Sequence, residues 1–241
     1  MANNLKIIIE PLIKNKTLGY VVSITLIIFL ALNVVHFYLL NISSDHHIKY
    51  FWWIDCYNLI NNILVGLVIS YVIFVLVGYL PERKKIDLIK GNLTKQYIEF
   101  KKSIITIFLS AVNVQHDDAL IKNLCKMENF RSYFKENENK NWYSVLNTIS
   151  GNAEKIKEIV IELAIFRSEL LFVLNNVSID NDEIFSFLKR LSAVIYRLEN
   201  CNIEYEDFKS LMGFFWDLFS GWSFVSGYRD DDLIQGIIDK I

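Results

Sequence analysis

Two long runs without a single Asp, Glu, Lys or Arg constrain this chain more than anything else in its sequence. Leu18 to Leu40 is 23 residues long and Tyr57 to Leu80 is 24. As helices rising about 1.5 Å per residue, each reaches roughly 34 Å, enough to cross a hydrocarbon layer of about 30 Å. Lipid offers no partner to a peptide group, so a segment that enters it must close its own hydrogen bonds as a helix. Pro81 ends the second run and removes a helix donor where polar groups again meet water. A cleaved signal peptide has a shorter apolar stretch and a small-residue cleavage site, and the first run has neither property.

The flanks give an orientation. Lys6, Lys14 and Lys16 precede the first run, Lys49 alone lies between the two, and Arg83, Lys84, Lys85, Lys90 and Lys95 follow the second. The excess of cations on one side predicts a multi-pass protein with both termini cytoplasmic; abundant Ile, Asn and Lys, with Lys far above Arg, suit a bacterial gene and so place it in a bacterial inner membrane. The expected layout is a cytoplasmic or interfacial segment at 1–17, a transmembrane hairpin at 18–80 and a cytoplasmic helical domain at 81–241. Tyr50, Trp52 and Trp53, in the connector Asn41 to Cys56, suit the outer headgroup zone, and Arg83, Lys84 and Lys85 the inner one. Leu5 to Lys16 mixes Ile7, Ile8, Ile9, Leu12 and Ile13 with Lys6, Glu10 and Lys14, as an interfacial helix broken near Pro11 would, with a disordered leader as the alternative.

Within the second run Asn58, Asn62, Gly66, Ser70 and Gly78 recur at multiples of four, and Gly19, Ser23 and Ala31 repeat the spacing in the first. Such stripes are packing faces, and intramolecular packing of the hairpin is the reading preferred over an oligomer seam or a pore lining. Asn33 and His36 add polar groups that need partners in hydrocarbon. No charged residue sits mid-run, which argues against a proton pump, carrier or voltage sensor.

After Pro81 the apolar residues Ile86, Ile89, Leu93, Tyr97, Phe100, Ile104, Ile107 and Phe108 keep helical spacing, so a long helix leaves the membrane, with Gly91 and Asn92 as a hinge or weak spot. Further helices are expected over Asp118 to Met127 and Trp142 to Ile149, with Lys135 to Asn141 a solvated connector. The strongest pattern runs from Ala153 to Asn175. Asp180 with Glu183 is placed as the capping box of a helix Ile184 to Leu198, and Asn202 as the cap of another over Phe208 to Phe219. No alternating segment argues for a sheet. The fold class expected is therefore all-α, a two-helix transmembrane hairpin followed by a cytoplasmic α-helical bundle of five to seven helices.

The residues that carry chemistry in other proteins are thinly supplied. Net charge is −2 without a basic patch, so direct nucleic-acid binding is not expected. Cys56, Cys125 and Cys201 form no metal-ligand spacing and are placed as reduced thiols. Asp45, His46 and His47 are too few for zinc, and His116 beside Asp117 has no nucleophile to serve. Asp230, Asp231 and Asp232 resemble half of a cation site but stand where acids complement the dipole of a last helix. No enzyme, cofactor or metal is expected. Phe214, Phe215, Trp216, Phe219, Trp222, Phe224 and Tyr228 concentrate aromatic surface around Gly213, Gly221 and Gly227. Core packing is the preferred account; as an interface the cluster could dock on the bilayer, a partner or another copy, with Phe214, Phe215, Trp216 and Trp222 as the partner contact.

In layout, residues 18–80 followed by Pro-Glu-Arg-Lys-Lys and a helical domain, the chain resembles the two-span membrane effectors of bacterial anti-phage defence systems, including those associated with certain retrons. The resemblance covers the whole chain and carries no residue-level motif. It implies a toxin-like effector held inactive by a cytoplasmic protein or ribonucleoprotein and, once released, able to form homo-oligomers through its hairpins and to permeabilise the lipid bilayer; the stripe Asn62, Gly66 and Ser70, read from the residues, is the association face expected in that case. The alternative is a harmless anchor or scaffold subunit that tethers a cytoplasmic partner to the membrane.

Overall fold

The computed structural model of the chain describes residues 11–13, 16–42, 51–136, 141–200 and 205–241, with the backbone alone at 16, 39–42, 51–53, 136 and 205–206. The chain is mostly helical and divides into two compact units, Met1–Lys85 and Ile86–Ile241.

The first unit holds α1 (Lys16–Ile42) and α2 (Phe51–Ile73), the two helices long and apolar enough to cross a membrane. Their surfaces are inverted relative to a water-soluble core helix: Ile27 is 65% exposed, Leu30 61%, Phe37 68% and Leu59 63%. The two helices pack against each other along a seam. On the second helix the less exposed positions are Tyr57, Asn61, Leu64, Val68, Tyr71 and Val75, and on the first they include Leu18, Val22, Thr25, Phe29, Asn33 and His36. The series on the second helix alternates steps of four and three, the 3.5-residue period of knobs-into-holes packing, and the series on the first is built from the same two steps. Gly19 lets the backbone of the preceding turn close in: a Cβ there would lie 2.5 Å from the Leu12 carbonyl oxygen.

Pro81 does not end the second helix. The chain passes through a π-helical turn, Phe74–Tyr79, directly into α3 (Leu80–Ala111), and the Leu80 N–H donates to the Val75 oxygen, five residues back. Pro81 has no N–H for Val77 and its ring crowds that carbonyl, so the turn before it widens instead of breaking. Gly91 and Asn92 do not interrupt α3 either; Asn92 Nδ2 donates to Glu169 Oε1 at 2.7 Å.

The second unit is built on α3, followed by α4 (Asp118–Leu124), α5 (Met127–Glu136), α6 (Trp142–Ser150), α7 (Ala153–Asn176), α8 (Asp182–Glu199), α9 (Tyr205–Ser220) and α10 (Leu233–Ile238). Counting α3, eight helices are described here against five to seven expected. The single helix expected over Asp118 to Met127 stops at Leu124, and a new one starts at Met127. Leu93, Tyr97, Phe100, Ile104 and Phe108 of α3 are buried, and Phe100 stacks on Phe166 of α7 with ring centres 4.7 Å apart. The helix α7 presents Ile156, Ile159, Leu163, Phe166, Leu170 and Val173 to this core and packs most extensively on α8.

Helix ends are set by local hydrogen bonding. Asn113, at φ 53°, stops α3: its N–H meets the Ser110 oxygen while that of Val114 reaches back to Leu109, a left-handed C-terminal motif that Asn tolerates. Asn152 caps α7. The cap of α8 is Asn181, whose Oδ1 accepts from Glu183 and Ile184, and not Asp180 as the capping box suggested. Asn202 lies outside the described residues, as do most of the connector at Lys135 to Asn141 and the leader before Pro11. The sequence also gave no sign of a short antiparallel ribbon, β1 (Trp222–Ser223) with β2 (Gly227–Tyr228). Two glycines with positive φ, Gly221 and Gly227, shape it, and a Cβ at Gly221 would collide with the Arg229 oxygen and the Met127 sulfur at 2.7 Å.

Truncating Phe166 to alanine removes the ring against which Phe100 and Tyr97 pack. The expected cost is about 3–5 kcal/mol, read as a lower midpoint for the loss of near-ultraviolet circular dichroism in denaturant.

Candidate functional site

The polar residues of the two apolar helices fall into two groups one position apart. The first group lies in the seam. Tyr57 is buried; its hydroxyl donates to Asn33 Oδ1 at 2.7 Å, and its ring lies flat on His36 with centroids 3.7 Å apart. Asn33 completes its bonding by donating Nδ2 to the Phe29 oxygen. Next to them, His36 Nδ1 and Asn61 Oδ1 are buried without a hydrogen-bond partner. The sequence pointed to Asn33 and His36 but missed Tyr57 and Asn61. The available signal was that 57, 61 and 64 continue one face at steps of four and three.

The second group is the stripe Asn58, Asn62, Gly66, Ser70 and Gly78. It does not serve the contact between α1 and α2, which corrects the preferred intramolecular reading: all five residues are exposed. A Cβ at Gly66 would meet nothing within 4 Å, and the Ser70 hydroxyl is occupied by the Gly66 oxygen at 2.8 Å. The reason is geometric. A strict step of four advances 40° around a helix of 3.6 residues per turn, so the stripe winds away from a partner that follows a 3.5-residue seam. The side chains of Asn58 and Asn62 make no hydrogen bond to another described residue.

Of the basic flank, Lys84 and Lys85 are exposed and Arg83 is half-buried in the first turns of α3. The side chains of Trp52 and Trp53, and the whole of Asp45, His46, His47, Tyr50 and Cys201, lie outside the described residues.

In the second unit the aromatic cluster divides. Phe215 is fully buried between Phe100, Phe108 and Phe219, so it is a core residue and no partner can reach it. Phe214 and Trp216 are half-buried against the same core. Trp222 and Tyr228 are 40% and 44% exposed on the ribbon, edge to face at 4.9 Å, and the loop between them carries Phe224 and Val225 at 97% and 93%.

The acidic triplet is divided among structural tasks. Asp232 accepts from the backbone of Ile234 and Gln235 at the start of α10, and also from the Tyr97 hydroxyl and, at 3.0 Å, from Lys101 Nζ. Lys101 is only 5% exposed and sits among Tyr97 and Phe219, so this ion pair binds the C-terminal segment to the middle of α3. Asp230 pairs with Arg131, whose guanidinium also donates to the Arg229 oxygen and covers the Tyr228 ring at 5.0 Å. Asp231 is exposed. Burial, then the Asp232 charge and its hydrogen bond, push the Tyr97 hydroxyl well above its ordinary value. Burial raises the Cys125 thiol as well. His116 Nδ1 contacts the Val114 oxygen, and Asp117 caps α4.

Removing one member of a buried ion pair strands the other. Asp232→Ala should therefore cost about 3–5 kcal/mol, whereas Lys101→Met with Asp232→Asn, which keeps a capping side chain, should cost far less in the same urea titration. Because Tyr97 holds its proton more tightly folded than unfolded, stability should fall as pH rises above its ordinary value of 10.0. Tyr97→Phe should flatten that alkaline decline.

No protein family model, no curated protein and no solved structure matches this chain.

Proposed function

We propose that the chain is an inner-membrane effector. In this reading α1 and α2 cross the bilayer as a hairpin with both termini cytoplasmic, and residues 81–241 form the cytoplasmic bundle. Release from a cytoplasmic partner lets the second span associate with that of another copy and compromise the membrane, as in the anti-phage effectors that the layout resembles. The observation that carries the association step is the outward stripe Asn62, Gly66 and Ser70. At about 1.5 Å per residue, Asn62 lies about 10 Å from the middle of the run Tyr57–Leu80, inside the hydrocarbon. An amide there has no solvent to bond, and the same ridge on a second helix supplies both a donor and an acceptor.

The geometry of the stripe suits this role. Residues four apart form the ridge that packs in right-handed, small-xxx-small crossings, with backbones approaching closely at Gly66. Packing of that hand leaves the left-handed seam to α1 free to persist. The competing reading, a harmless anchor for a cytoplasmic partner, draws its support from the seam, since a pair of helices already packed on each other needs no further copy.

Expression of the chain alone should depolarise cells, and Gly66→Leu should relieve this. Leucine fits the single chain, because nothing lies within 4 Å of that Cβ, so relief reports on contact between copies. Asn62→Leu should weaken cross-linked oligomers in mild detergent by about tenfold, for a bond of about 1–2 kcal/mol. Harmless overexpression, or toxicity that persists in a chain lacking residues 1–80, would rule the effector reading out.

A further inference from the structure

We propose that the ribbon Trp222–Tyr228 is a second, peripheral membrane contact, whose tip, Phe224 and Val225, inserts into the interface of the bilayer. The inference rests on the membrane-spanning reading above. Seven consecutive residues from Trp222 to Tyr228 carry no charge, and the two at the turn are the most exposed apolar side chains described, at 97% and 93%. A soluble fold gains nothing from displaying Phe and Val this way, and a rigid display costs effort: Gly221 and Gly227 hold positive φ, Arg229 N–H donates to the Gly221 oxygen, and Arg229 Nε to Ser226 Oγ.

The order of side chains along the ribbon follows the polarity gradient of a lipid interface. Aliphatic and phenyl groups stand at the tip. Beyond the Ser223–Gly227 pair, Trp222 and Tyr228 meet edge to face, the pair of residue types that prefers headgroup depth. At the base the Arg131 guanidinium lies over the Tyr228 ring. A protein-binding hot spot would instead be expected to gather Trp and Tyr at its centre, inside a polar rim. Charges at the base balance, Arg131 and Arg229 against Asp230 and Asp231, so the contact requires no anionic lipid and should be insensitive to salt. On the membrane-spanning reading, lipid is also the one partner always within reach. The second unit begins at Ile86, six residues after the uncharged run ends at Leu80, which holds a weak apolar contact at high effective concentration.

The test uses the full chain in nanodiscs of zwitterionic lipid, with Cys56, Cys125 and Cys201 replaced by serine and a fluorophore placed at Phe224→Cys, Tyr143→Cys or Val72→Cys. Tyr143 is an exposed aromatic on α6, and Val72 is exposed in the second apolar helix. Lipids spin-labelled near the glycerol should quench the label at 224 several-fold more than the label at 143, unchanged by high salt. With the label moved to Ser226→Cys, Val225→Asp together with Phe224→Asp should abolish the quenching without altering helix content. Equal quenching at 224 and 143, or none at 224 while lipids labelled mid-chain quench position 72, would overturn the ribbon contact and leave the spans standing. Loss of quenching at 72 would remove the membrane reading itself. Disulfide formation between the 224 cysteines of two copies, in place of lipid quenching, would identify the ribbon as a contact between copies and overturn the proposal.

Discussion

Apolar surface that stays exposed after folding must find an apolar phase, and the architecture of the first unit follows from that constraint. Along α1 and α2 the large side chains point outward, and the residues withdrawn from the surface are the narrow seam that includes Tyr57, Leu64 and Val75. In water such a pair would lose the hydrophobic driving force that holds soluble helices together, since little of its apolar area is hidden. The buried hydroxyl-to-amide bond between Tyr57 and Asn33 and the flat stacking on His36 are the kind of specific contact that can align helices where lipid competes equally for every methyl group.

The second unit obeys the opposite rule. Its aromatic residues converge on α3 and α7, and the one deeply buried cation among its described residues is matched: Lys101 is paired by Asp232, which also caps α10 and bonds Tyr97. One carboxylate thereby fixes the end of the chain to the centre of the fold. The same segment continues back through Asp230 and Arg229 to the ribbon, whose base Arg131 holds from α5. A tip of exposed Phe and Val is sustained by this well-bonded foundation, not by contacts of its own.

The stripe in the second apolar helix shows that a sequence pattern does not by itself say which neighbour a helix face meets. Small and polar residues at steps of four do mark a ridge, but a helix of 3.6 residues per turn carries that ridge around its axis. The seam to α1 follows alternating steps of four and three, so it runs through Tyr57, Asn61 and Leu64, one position before Asn58 and Asn62. The aromatic cluster divides in the same way. Phe215 and Phe219 continue a buried helical face, while Trp222 and Phe224 fall beyond the helix end at Ser220. Periodicity registers the first pair and is blind to the second.

From its residues alone the chain determined that two segments are long and apolar enough to cross a membrane, and that the remainder is mostly helical. The boundaries of α6 and α7 were readable too, because apolar spacing and capping amides are local properties that survive without a partner. Tertiary structure decided which polar residues meet. Asn33 finds Tyr57 from 24 positions away and Lys101 finds Asp232 from 131. Such pairings depend on helix rotation and on loop paths that no short window encodes. The π turn before Pro81 and the ribbon after Ser220 belong to the same class. Each arises where a local rule, helix termination at proline or continuation of an aromatic face, is overridden by what the neighbouring backbone can still bond.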